Sequence, residues 1–160
     1  MKTGSKETKI EYKNGGIVDV YRSVDQESND YKKRLAFCDY FAKQDEKTAI
    51  TPQIHYRDPL YNEIYSSLIG TKYERTCPDM KIGNNFYEHE GFDINKNTNP
   101  TRTFSNMISR GMKQSNRIVI EDCGVTHRWA KRNIQTRINN GDIISEVWIF
   151  ESNGLLTRLY

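Results

Sequence analysis

Between Cys77 and Phe92 the chain reads CPDMKIGNNFYEHEGF. Two short alternating runs flank Gly83-Asn84-Asn85, and side chains alternate faces along a strand. With Asn84 and Asn85 as a two-residue turn, Ile82 pairs with Tyr87, Lys81 with Glu88, Met80 with His89, and Asp79 with Glu90. One face then carries Asp79, Lys81, Glu88 and Glu90. The other carries Met80, Ile82, Tyr87 and His89, which gathers the apolar side chains and so selects the register. Carboxylates directly opposite one another repel. A divalent cation, or Lys81 with other basic groups, would relieve that repulsion. The plainer alternative is a solvated face with a Lys81–Glu88 pair contributing about 0–1 kcal/mol. His89, on the apolar face, reads as a buried, hydrogen-bonded histidine rather than a catalyst.

A second concentration of chemistry lies downstream. Residues 102 to 137 contain eight Lys/Arg against two acids, a net +6, twice the +3 of the whole chain. Arg128, Lys131, Arg132 and Gln135 recur at i, i+3, i+4 and i+7, one stripe of a helix. Ala130, Ile134 and Ile138 form the buried stripe. A cationic stripe suits phosphate contacts, and Arg110 and Arg117 extend the candidate nucleic-acid surface. The alternative is an ordinary solvated helix face. His127, at the start of this helix, is the histidine best placed for chemistry. His55 reads as structural, and Trp129 and Trp148 as core residues.

The elements that must position these groups follow from periodicity and punctuation. Asn14-Gly15 between alternating runs predicts an N-terminal hairpin over residues 8–22. Ser23 or Asp25 caps a helix from about Gln26 to Gln44. A short strand over 48–56 is broken by Pro52. Asp58-Pro59 opens a helix that stops near Ile69, at Gly70. The central hairpin comes next, then a polar loop from Asp93 to Thr101 expected to be mobile. Thr103–Gln114 is a helix and Arg117–Asp122 a buried strand. Thr126 caps the basic helix, which ends at Asn139 before Gly141. Ile143–Glu151 is apolar on both faces, as a central strand should be. Ser152-Asn153-Gly154 turns into a last strand, 155–160. A hairpin followed by alternating helices and strands predicts an α/β (α+β) fold, a mixed, largely antiparallel sheet flanked by helices. Residues 1–50 read as an accessory layer and 51–160 as the main domain.

With 160 residues the chain suits one domain with a real core. Ten Tyr, six Phe and two Trp argue against disorder despite 28% charged residues. No window approaches a membrane span, and Met1 to Tyr12 lacks the apolar centre of a signal peptide. Cys38, Cys77 and Cys123 are odd in number and not in metal-ligand spacing, which implies reduced thiols and a cytoplasmic protein without membrane attachment.

The run GTKYERTCPDMKIGNNFYEHEGF, then MISRGMKQSNRIVIED and HRWAKRNIQTRI, resembles the C-terminal tRNase domain of bacterial contact-dependent growth inhibition toxins. It is similar as well to small proteins carried on Bacteroides-type conjugative transposons. The resemblance spans about residues 58–160. It implies a nuclease-like fold, a toxin-like ribonuclease acting on RNA, in particular tRNA, and an immunity-type protein as partner. The alternative it leaves is a non-catalytic nucleic-acid-binding accessory protein of the mobile element.

Two nuclease types are implied. In PD-(D/E)XK nucleases Asp79, Glu88 and Glu90 would stand at the metal-binding positions, with Mg²⁺ as the cofactor. Glu90 occupies the place of the usual Lys, and Lys113 on the next helix is the substitute. In metal-free ribonucleases of the barnase-like and RelE-like kind, Lys81, Lys113, His127, Arg128 and Arg132 would move protons and stabilise the phosphorane-like transition state, with Glu88 or Glu90 as base. Attack would come from the RNA's own 2′-OH and leave a cyclic phosphate.

Overall fold

A computed structural model describes residues 5–160. Eight strands pair in sequence order, from β1 to β8, and four α-helices connect them. The result is a mixed-sheet α/β protein. No helix among the described residues is long and apolar enough to cross a membrane. The chain forms two compact units, one ending at Tyr87 and one running over Glu88–Tyr160. The expected boundary near residue 50 falls inside the first unit.

In the first unit β1 (Lys6–Glu11) and β2 (Ile17–Tyr21) form the expected antiparallel hairpin. Helix α1 (Asn29–Ala42) then crosses to β3 (Lys47–Ile50), which lies parallel to β2. The cap of α1 is Ser28, whose hydroxyl accepts from Tyr31 N, rather than Ser23 or Asp25. Helix α2 (Pro59–Ile64) starts at the predicted Asp58 cap, but stops sooner and passes into a single 3-10 turn, Ser66–Leu68. β4 (Met80–Ile82) is antiparallel to both β3 and β5 (Asn85–Glu90). Phe37 and Phe41 of α1 pack on Tyr87, at ring distances of 5.2 and 6.2 Å. Leu60, Tyr61, Ile64, Tyr65 and Leu68 gather around Phe86 and Cys77. Since Phe86 and Tyr87 point to opposite faces of β5, α1 and α2 cover opposite faces of this sheet.

The register of the central hairpin corrects the sequence reading. Ile82 pairs with Asn85, Lys81 with Phe86 and Met80 with Tyr87. The turn is therefore Gly83-Asn84, not Asn84-Asn85. Gly83 has φ +57°, while Asn84 is not in the positive-φ region. A two-residue turn with positive φ at its first position alone is the II′ class, which wants Gly there. The slip is two residues, so the alternation of faces survives it, but the partners change. Lys81 sits opposite Phe86, its Nζ 5.4 Å from that ring's centre.

In the second unit β5 continues through Glu88–Glu90, parallel to β6 (Arg117–Glu121). β6 is parallel to β7 (Glu146–Phe150), and β8 (Leu156–Arg158) closes antiparallel on β7. Helices α3 (Pro100–Gly111) and α4 (His127–Asn139) make the crossovers. Their residues Phe104, Met107, Ile108, Ala130 and Ile134 meet Ile118, Ile120, Val147 and Ile149 of the strands in one fully buried core. Helix α3 begins at Pro100, three residues earlier than expected, because Asn99 caps it by accepting from Arg102 N. The preceding polar loop contains a 3-10 turn, Ile94–Lys96. The Asn97 side chain ties it down, donating to Cys123 O at 2.9 Å and accepting from Thr103 Oγ1 at 2.8 Å.

Candidate functional site

The first unit holds Asp79 and Lys81. Asp79 immediately precedes β4 and is 3% exposed. Its Oδ1 accepts from Arg34 Nη1 at 3.1 Å and from Gln53 Nε2 at 3.3 Å. Arg34 reaches it from the N-terminal half of α1, whose residues Lys33 and Arg34 are half-buried. Arg34 and Gln53 also line a cleft of about 200 Å³ with Ser28, Tyr31 and Thr51. Lys81 lies elsewhere on this unit. It lines a smaller cleft with Lys6, Lys47 and the buried Asp19, which Lys6 pairs at 3.1 Å. Lys81 therefore neighbours Asp19 and Phe86, and the expected ladder pairing with Glu88 is replaced.

The second unit holds the remaining predicted residues. Three parallel strands end side by side here, and their carboxyl ends are the usual place for a site in such sheets. Glu88, 8% exposed, pairs in the ladder with Ile118 and shares the α3 face of β5 with Glu90. Glu90 is held by Arg110 of α3, Nε to Oε2 at 2.9 Å, and the same guanidinium donates to Gly91 O at 2.8 Å. Arg110 is thus committed to the protein. Arg117 on β6 is partly buried, with its Nε 3.5 Å from Glu146 Oε1. Lys113 follows the end of α3 and is exposed.

His89 is buried as predicted, with Nε2 3.4 Å from Glu121 Oε2. Glu121 entered the sequence reading only as one of the two acids among residues 102–137, not as a site residue. A Cβ at Gly91 would collide with the Glu121 carboxylate, so Gly91 is what leaves room for it. An acid two residues beyond a buried strand centre is a weak signal, which only the parallel β5–β6 register makes informative.

His127 presents the clearest chemistry. Its side chain is 43% exposed at the head of α4, and its Nε2 lies 2.6 Å from Glu151 Oε1 at the end of β7. Thr126 caps the helix beneath it. Glu151 was also missed, because the two lie 24 positions apart in sequence. Arg128, Lys131, Arg132 and Gln135 all lie exposed on the following turns of α4. Among the described residues none of the three cations has a carboxylate partner, and Gln135 donates only to Asn139 Oδ1 at 2.9 Å. Ala130 and Ile134 are fully buried on the other side, as the spacing requires. Trp129 packs edge-on against Phe104 at 5.4 Å, a core role.

The fit of a resident divalent cation can be judged at two of the expected ligands, Asp79 and Glu90. A cation approaching Asp79 meets the Arg34 guanidinium already on Oδ1, and one approaching Glu90 meets Arg110. A like charge in place opposes metal binding. As arranged, these residues do not fit a resident Mg²⁺, and no chemistry is derived through one. His127, by contrast, is an exposed imidazole held by a carboxylate, with the cations of α4 on the turns that follow. Compared with known proteins, the chain matches no family model, no curated sequence and no solved structure.

Proposed function

We propose that this chain is a toxin-like ribonuclease that cleaves tRNA without a metal, using His127 beside the cationic stripe of α4. One observation carries this reading. An exposed histidine bound to a carboxylate at 2.6 Å stands at the head of a helix whose outer face carries three cations with no carboxylate partner among the described residues. Glu151 orients the imidazole and stabilises it once protonated, the role an acid plays in a histidine–carboxylate pair. His127 takes the proton of a ribose 2′-OH, and the oxygen forms a bond to the adjacent phosphorus. The phosphorus–5′-oxygen bond breaks and the leaving oxygen takes a proton from water, giving a cyclic phosphate and a 5′-hydroxyl. Arg128, Lys131 and Arg132 bind the phosphates and offset the charge that grows on the phosphorane. The resemblance to growth-inhibition tRNases supports RNA as substrate and an immunity-type protein as partner.

A second reading is a nucleic-acid-binding accessory protein of a mobile element. The arginines on Asp79 and Glu90 favour it, since both carboxylates are engaged by guanidinium groups in the way structural acids are. The test incubates purified protein with total tRNA in Mg²⁺ and in chelator. Cleavage in both conditions that is lost in His127→Ala supports the proposal. Cleavage only with metal, abolished by Asp79→Ala, would transfer the chemistry to the carboxylates. Salt-sensitive binding without cleavage would establish the accessory role.

A further inference from the structure

In the first unit, well outside the α4 stripe in sequence, two segments rich in aromatic and basic residues come together. One is His55-Tyr56-Arg57, the other Lys72-Tyr73-Glu74-Arg75. The Tyr56 ring is the centre of the assembly. The His55 ring lies 4.5 Å from it at an interplanar angle of 31°. The guanidinium of Arg75 lies over it at 4.5 Å and that of Arg57 at 5.5 Å. Lys72 Nζ sits 5.0 Å from the Tyr73 ring. Tyr56 and Tyr73 pack against the buried cluster of α2, so the pile rests on a rigid base. His55, Arg57, Lys72 and Arg75 are all exposed.

Charge and backbone point the same way. Arg57, Lys72 and Arg75 have no carboxylate partner among the described residues. The nearby acids are spoken for: Asp58 accepts from Leu60 N at the α2 cap, and Glu74 accepts from Gly70 N. Arg75 is one of two non-glycine residues with positive φ among those described, at +72°. That region disfavours an arginine and is tolerated where function demands it. Here it delivers the guanidinium onto Tyr56.

We propose that this stack binds single-stranded nucleobases, with the His55 ring and the two guanidinium planes as stacking surfaces and Arg57, Lys72 and Arg75 as phosphate contacts. Planar cationic and aromatic groups in alternation accept any base on a π-face, whereas a duplex offers them none. The inference rests on RNA being the chain's substrate, and it assigns the unpaired part of that substrate to a second surface.

The probe is a fluorescein-labelled ten-nucleotide oligouridylate, with a duplex of equal length as control, measured by anisotropy alongside melting temperature and tRNA cleavage. Tyr56→Leu keeps the apolar base and removes the ring, and Arg75→Gly removes the guanidinium at a backbone angle that Gly prefers. Each variant is expected to bind the single strand about tenfold more weakly, with duplex binding unchanged. Arg75→Gly is expected to melt at the same or a higher temperature. Single-strand binding within twofold of wild type in both variants would overturn the inference while leaving the ribonuclease reading intact. A lower melting point for Arg75→Gly with unchanged binding would equally overturn it, making Arg75 structural. Loss of cleavage in His127→Ala alongside normal oligouridylate binding supports both assignments separately.

Discussion

At Asp79 a carboxylate 3% exposed meets a guanidinium that is itself largely covered. Asp79→Asn removes the buried carboxylate that Arg34 reaches at 3.1 Å and leaves it Asp30 at 3.9 Å, and the chain is expected to lose about 1–3 kcal/mol of stability in urea unfolding. An unchanged midpoint would mean that the pair is solvent-screened. Gly91→Ala is expected to push the Glu121 carboxylate off His89, at a cost of about 1 kcal/mol, and to shift the His89 ring signals in an imidazole NMR spectrum. Unmoved signals would show that Glu121 does not contact His89. Several of these residues were visible in the sequence through alternation alone. Glu88 and Glu90 keep the predicted face of β5 because the true register differs from the expected one by two residues, and two is the period of a strand; Asp79 precedes β4 and is placed by its partners instead. The partners were not visible, because Arg34 on Asp79, Arg110 on Glu90 and Glu121 on His89 come from other elements of the chain, and no local pattern encodes a tertiary ion pair.

Helix α4 is the element on which the functional reading depends. Its 3.6-residue spacing predicted both faces, and the Thr126 cap and Asn139 end came out at the predicted positions, because capping chemistry and apolar spacing agree there. The triple change Arg128→Ala, Lys131→Ala and Arg132→Ala removes three exposed cations from a helix anchored by Ala130 and Ile134. Stability is expected to stay within about 0.5 kcal/mol of wild type. The salt slope of tRNA binding, read by anisotropy between low and moderate salt, is expected to fall by roughly 2–3 units. An unchanged slope would place the RNA elsewhere. The start of α3 was misread for a physical reason: Pro100 resembles a loop terminator but is equally suited to a helix's first position, and only the Asn99 cap decides between them.

For the whole chain, the α/β class with a mixed sheet was legible, because strands and helices alternate with clear punctuation. The parallel run β5–β6–β7 was not, since pairing partners are set by crossovers rather than by local spacing. Stability against pH is a property of this whole. Burial raises the Cys38 thiol to about 12, with the Thr48 hydroxyl offsetting part of the effect. Burial likewise pushes up the Tyr61 and Tyr65 hydroxyls. An unfolded chain releases the thiol proton near about pH 8.5, so from there to about 12 the unfolded state binds fewer protons than the folded one. The stabilisation is complete below that window and is lost as pH rises through it. Melting temperature is expected to fall steadily above pH 9, and less steeply in Cys38→Ala. Equal slopes would remove Cys38 from this account.

The chemistry at His127 is the central claim. The direct measurement is the end-group analysis of tRNA cleaved in the presence of chelator. The 2′-OH mechanism predicts a 2′,3′-cyclic phosphate on one fragment and a 5′-hydroxyl on the other, absent with His127→Ala. Fragments bearing a 5′-phosphate and a 3′-hydroxyl, or tRNA left whole by the wild-type chain, would contradict it.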